Sequence, residues 1–185
     1  MSETTTTAVQ TGEYTVDASH TRIGFVARHA MVTKVRGAFK EFDGHGYFDS
    51  ENPTASKLQV TIKANSIDTG NADRDAHLRS NDFFDMETYP EITFASTAVE
   101  KVDDEHFNVT GDLTIKGVSR PLTIPFEVSG PVQDPWGKQR IGLEGKVEVN
   151  RKDWGVNWNV ALEAGGILVS EKVTLEFDVA AVKAS

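Results

Sequence analysis

The chain has 185 residues, no cysteine, and 28 acidic against 19 basic side chains, for a net charge of −9. Its length suits one well-buried domain. The missing thiols exclude disulfide scaffolds, thiolate zinc sites and thiol catalysis, and the acidic balance argues against general binding to nucleic acid or anionic lipid. No apolar run approaches the ~18 residues of a transmembrane segment.

Residues 1–12 are polar and have neither the basic nor the apolar region of a secretory signal. They are expected to form a disordered tail on a cytoplasmic protein, ahead of a single domain over 13–183. A short strand is expected at 13–17. Residues 20–29 place Ile23, Phe25, Ala27 and His29 on one strand face. In 34–48 the apolar parity runs Val35, Gly37, Phe39 and then Phe42, Gly44, Gly46, Phe48; the one-residue shift near Lys40 and Glu41 predicts a β-bulge. Leu58, Val60, Ile62 and Ala64 alternate with polar neighbours. Residues 71–82 break the alternation: Asn71 caps a short helix in which Asp75 and Arg79 are spaced to pair. The thin apolar content of this helix predicts that it lies over one end of the fold. Strands resume at 91–99, with Ile92, Phe94 and Ser96 on one face, at 107–115, 122–129 and 141–150, and at 172–179. Asp103–Glu105 and Lys116–Gly117 supply hairpin turns, and Pro125, unable to donate to a ladder, predicts a gap or an edge.

About eight long strands with one wet face each indicate an antiparallel sheet that curls closed. An eight-stranded barrel either packs solid or holds one small ligand. The blocks NADRDAHLRSNDFFD (71–85), YPEITFAST (89–97), VDASHTRIGFVARH (16–29), GDLTIKGVSRP (111–121) and RKDWG (151–155) resemble the YceI-like family, in order and over residues 14 to about 182. The resemblance implies an all-β fold, an extended eight-stranded antiparallel lipocalin-like barrel with one short helix (about 71–82) over one end. It also implies a long apolar cavity for polyisoprenoids, isoprenoid quinones or fatty-acid-like amphiphiles, no catalysis, and roles in transport and the stress response. Many family members carry a secretion signal, and this chain shows none.

The first candidate site is the barrel interior. Phe25, Ala27, His29, Phe39, Leu58, Val60, Ile62, Phe94, Gly111, Leu113, Ile124, Phe126, Leu143, Gly145, Leu175 and Phe177 share the inward parity. Gly111 and Gly145, with Gly37, are expected to leave ligand volume, so that leucine there would fill space without destabilising the fold. The alternative is that neighbouring side chains fill it. The second candidate is a polar mouth for a head group, formed by Arg74, His77, Arg79, Arg151 and Trp154; the alternative is that the helix charges pair locally and fix a lid. The five histidines are dispersed and no metal motif occurs. Asp17, Ser19 and His20 invite a hydrolase reading, but neighbours on a strand point to opposite faces. The reading is a non-catalytic carrier of a hydrophobic small molecule, with no cofactor beyond a bound isoprenoid quinone or polyprenyl lipid. No nucleic-acid partner is expected, and a homodimer is left open. The alternatives are a lipid hydrolase or isomerase, and a solid-barrel protein-interaction module.

Overall fold

The computed structural model describes residues 9–159 and 169–184. Its elements are β1 (Gly12–Val16), β2 (Arg22–His29), β3 (Thr33–Phe39), β4 (Phe42–Phe48), β5 (Lys57–Lys63), β6 (Ile67–Asp68), α1 (Ala72–Arg79), β7 (Glu91–Lys101), β8 (His106–Ile115), β9 (Val118–Gln133), β10 (Gln139–Asn150) and β11 (Lys172–Lys183). Six of these segments are halves of three long strands. β1 and β2 are separated by a 3-10 turn at Ala18–His20, β3 and β4 by Lys40 and Glu41, and β5 and β6 by a 3-10 turn at Ala64–Ser66. The breaks lie side by side. Lys40 N donates to Ser66 O at 3.1 Å and Lys63 N to Glu41 O at 2.9 Å. The expected bulge at Lys40 and Glu41 is therefore one part of a bend shared by adjacent strands, and the parity shift keeps Phe39 and Phe42 on the core side of it.

Taking those halves together, eight strands run in chain order around a closed antiparallel barrel. β11 closes it by pairing with β2 over Thr174–Asp178 and with β1 over Ala181–Lys183. Closure removes the open edges that strands of this length would otherwise expose. β1 begins at Gly12, Val9 packs against Tyr14, Ile141 and Ala181, and the Tyr14 hydroxyl donates to Gln10 O at 2.7 Å. Residues 9–12 thus make contacts with the barrel, and the rest of the expected tail lies outside the described residues.

One end of the barrel, the mouth, carries the β2–β3 hairpin, α1, the Lys116–Gly117 turn and a 3-10 turn at Arg151–Trp154. Lys116 and Gly117 adopt φ 53° and 75°, as a two-residue hairpin turn requires. β9 and β10 pair from Gln133 and Gln139 only as far as Phe126 and Gly145. Pro125 is the first residue beyond that separation, which is the expected gap. The Arg151–Trp154 turn packs against β9. There Trp154 Nε1 donates to Leu113 O at 2.7 Å and Arg120 Nε to Asp153 O at 3.1 Å.

The helix is capped by Asn71, whose Oδ1 accepts from Arg74 N at 3.0 Å. It ends at Arg79 rather than Asp82, because Ser80 turns both its N and its Oγ back onto His77 O, at 3.1 and 2.6 Å. The expected Asp75–Arg79 pair does not form. Asp75 is buried and accepts from Thr69 N at 2.9 Å and Thr69 Oγ1 at 2.6 Å, while Arg79 donates to Asn65 O and Ile67 O, both at 3.2 Å. Among the described residues no helix is long and apolar enough to cross a membrane.

Candidate functional site

The barrel interior is apolar and divided. An upper chamber of about 140 Å³ near the mouth is lined by Phe25, Ala27, Phe39, Ile62, Leu113, Leu175 and Phe177, with Arg151 and Trp154 also in its wall. A lower chamber of about 100 Å³ takes Leu58, Phe126 and Leu143 from the expected set, together with Tyr14, Phe48 and Phe107. Val60, Phe94, Gly111, Ile124 and Gly145 line neither chamber. The Phe126 and Phe177 rings, with centroids 6.0 Å apart, belong one to each chamber and meet at the partition.

The glycines explain the division. A Cβ at Gly111 would lie 2.6 Å from Phe94 Cζ and 2.5 Å from Ala95 O; at Gly145 it would lie 2.8 Å from both Phe126 Cδ1 and Pro125 O. At Gly37 it would run into the Phe25 ring. Gly37 and Gly145 stand directly opposite Phe25 and Phe126 in the register. Each missing side chain is filled by a ring from the neighbouring strand, a cross-strand pairing that also shields the glycine backbone. The expectation that Gly111 and Gly145 leave ligand volume is corrected: neighbouring side chains occupy it.

Above the upper chamber lies a mouth cavity of about 490 Å³. Its walls include His29, Thr33 and Val35 from the β2–β3 hairpin, Asn71, Arg74 and His77 from the helix region, and Trp158. Phe25, Ala27, Leu78, Phe83 and Val169 line both it and the upper chamber, so the two spaces adjoin. His29 sits exposed at the rim rather than inside the barrel. His77 Nε2 lies 2.8 Å from Asp82 Oδ2, and its ring stands edge-on to Trp158 and Phe83 at centroid distances of 4.5 and 5.0 Å. Arg74 gives Nε to Thr69 Oγ1 at 2.6 Å and Nη2 to Thr69 O at 2.7 Å. Arg79 lines neither the mouth cavity nor the chambers. The helix cations thus tie α1 to the 65–69 segment.

Arg151 is different. It is buried, and its guanidinium donates to three backbone carbonyls: Val156 at 2.6 Å, Ser170 at 2.9 Å and Val169 at 3.2 Å. Burial draws its pKa below the ordinary guanidinium value, against the pull of Glu171, yet the group stays charged at neutral pH. It places a fixed cation in the wall of an otherwise apolar chamber.

Asp17, Ser19 and His20 do converge, because a 3-10 turn replaces the expected strand there. Ser19 Oγ donates to Asp17 Oδ1 at 2.7 Å, and His20 Nδ1 lies 2.9 Å from Asp17 Oδ2 and 3.1 Å from Ser19 Oγ. A hydrolytic triad needs serine and carboxylate on opposite ring nitrogens; here both share Nδ1. The cluster is instead a clamp, in which Arg140 reaches Asp17 at 2.7 Å and Asp134 at 2.8 Å. Arg140 first, then Ser19 and His20, hold the Asp17 carboxyl far below the usual carboxylate range.

A YceI-like domain is matched over residues 14–181. The YceI protein of Salmonella newport is 40% identical over 154 residues, covering 82% of this chain and 80% of that protein. The chain belongs to the YceI-like family. Among solved structures, BcnA of Burkholderia cenocepacia superposes with TM-score 0.79 at 27% identity, over 89% of this chain and 98% of that one. The YceI protein of Campylobacter jejuni gives 0.73 at 32% identity, over 85% of this chain and 90% of that one. A polyisoprenoid-binding domain from Saccharophagus degradans shares the fold, with TM-score 0.70 at 17% identity, over 95% of this chain and all of that one.

Several wall residues of this YceI-like barrel escape the alternation rule. Leu78, Phe83 and Phe84 close the upper chamber from the helix side. Their only sequence signal is the apolar pair Phe83–Phe84 directly after a polar helix.

Proposed function

We propose that this protein is a non-catalytic carrier for a long apolar amphiphile of the isoprenoid or fatty-acyl class. Its tail enters the upper chamber and its polar head rests in the mouth cavity beneath α1. The observation that carries this reading is the continuity of the two spaces through Phe25, Ala27, Leu78 and Phe83, the upper one apolar and the mouth cavity bordered by Asn71, Arg74 and His77. The likeness to YceI proteins and to a barrel described as polyisoprenoid-binding supports it. Each buried CH₂ contributes about 0.8 kcal/mol, and Arg151 favours a head or linking group rich in oxygen acceptors. Both chambers fall below the ~300 Å³ of ordinary ligand sites. A long tail therefore passes the partition only when the Phe126 and Phe177 rings turn aside.

The test is native mass spectrometry after incubation with isoprenoid quinones, polyprenyl alcohols and fatty acids of graded length. The expected result is one amphiphile per barrel. Bare chain with all three classes refutes the carrier.

A further inference from the structure

The net charge of −9 is unevenly spread. Residues 18–40 contain Arg22, Arg28, Lys34, Arg36 and Lys40 and neither Asp nor Glu, so this stretch carries +5 and the rest of the chain −14. It forms the β2–β3 hairpin, whose end flanks the mouth cavity. The hairpin tip is apolar and in water: Met31 is 56% and Val32 76% exposed. Ala30 and Met31 hold the turn at φ 52° and 70°, positions where Asn-Gly is the usual choice. Behind the tip, Arg28 and Lys34 stand directly opposite each other on the outer face. Like charges so placed repel, and among the described residues neither has an acidic partner within ion-pair distance. Glu91 and Glu171, also at this end, are already paired with Lys63 and Lys152.

We propose that the β2–β3 hairpin docks the mouth of the barrel onto an anionic lipid bilayer. Met31 and Val32 enter the headgroup layer, and Arg28 and Lys34 meet lipid phosphates, which relieve their mutual repulsion. The two charges lie within about 13 Å of the tip, at ~3.3 Å per residue, so tip and charges reach the interface together. Asp73 lines the mouth cavity and Asp68 pairs beside β3, but the hairpin end itself, residues 28–34, carries Arg28 and Lys34 and no acidic side chain, and groups beyond about 10 Å are screened at physiological salt. The mouth is then set against the surface from which a carrier would load. The proposal extends the carrier reading, but it is measured without any tail ligand.

The test is flotation of the full chain with vesicles of phosphatidylcholine, alone or mixed with phosphatidylglycerol. Binding to the mixed vesicles only, weakened by salt, is expected. Arg28→Gln/Lys34→Gln lowers that affinity about 25-fold, at about fivefold per basic residue near an anionic surface. Val32→Asp, at an exposed turn that tolerates the change, also weakens it and serves if the double variant fails to fold. Trp136, 79% exposed at the opposite end of the barrel, is the control: Trp136→Ala binds as the unaltered chain does. No binding to either vesicle overturns the proposal, as does a loss caused by Trp136→Ala but by neither hairpin variant. Uptake of a polyprenyl alcohol without vesicles reports on the carrier reading alone, so the two ideas fail separately.

Discussion

Alanine at three glycines distinguishes a glycine that seats a ring from one that leaves free space. At Gly111 the new methyl would lie 2.5 Å from Ala95 O and 2.6 Å from Phe94 Cζ, and at Gly145 it would lie 2.8 Å from Pro125 O and Phe126 Cδ1. Ordinary contact begins near 3.4 Å, so a strand and a buried ring must both give by several tenths of an ångström. Overpacking of this kind costs about 1–3 kcal/mol. It is offset by the roughly 0.4–1 kcal/mol that Gly→Ala contributes by restricting the unfolded chain. The net loss at either site is about 1–2 kcal/mol. Gly142, on the same strand as Gly145, meets nothing nearer than Ser129 Cβ at 3.8 Å, so Gly142→Ala should gain the full entropic term. Urea unfolding separates the outcomes: with slopes of about 1–3 kcal/mol per molar, the midpoints of Gly111→Ala and Gly142→Ala differ by about 1 M. Equal midpoints, with unchanged slopes, would show that the inward glycines do leave room, and the divided barrel would be refuted.

Two further outcomes follow from polar anchors. Asp75→Ala leaves Thr69 N and its hydroxyl without their acceptor, a cost of about 1–3 kcal/mol that falls on the lid; amide exchange over 72–79 should quicken while 107–115 stays protected, and unchanged exchange in the helix contradicts the anchor. Arg140→Gln removes the partner that most lowers the Asp17 pKa. A depressed folded-state pKa means that protons bind the unfolded chain more tightly. The clamp's contribution is therefore complete above about pH 4 and lost as pH falls below it. The variant should be less stable than the unaltered chain at neutral pH, and the difference should shrink in acid; a difference independent of pH removes the clamp.

The barrel was legible because alternation is a local consequence of one-sided burial, and Val109, Leu113, Leu143 and Leu175 obey it. Pro125 marked the end of β9–β10 pairing for the same local reason, a missing donor. The interior was legible only in its polarity. Whether Gly111 leaves a hole depends on the rotamer of Phe94 on the adjacent strand, which no single-strand pattern contains. The helix pairing failed likewise: Asp75 and Arg79 have the right spacing, but Thr69, just outside the helix, competes for Asp75 and wins because that carboxylate is buried. The Asp17–Ser19–His20 cluster was hidden because a strand was assumed through the point where the chain turns.

The two ends of the barrel differ in how they are held, and under the proposed carrier function this difference would favour ligand entry at the mouth. At the far end β1 bridges β4 and β11 in continuous ladders, and Tyr14, Ile141 and Ala181 seal the interior beneath it. Opening there would break strand pairing and expose a core cluster together. At the mouth the ladders stop early. β6 pairs β3 only at Phe39 and Ala38, β10 leaves β9 at Phe126, and the spaces are spanned by α1 and the Arg151–Trp154 turn. The hydrogen bonds that hold α1 down run through one short segment, 65–69. Such a unit opens at a lower free energy than the strands beneath it. Lifting it would expose Leu78 and Phe83 together with the upper chamber they line, so the tail of the proposed amphiphile would replace the apolar contacts given up. Entry of the proposed ligand at the mouth would thus cost mainly a few polar bonds that water can replace, whereas entry at the far end would cost the closure of the barrel itself.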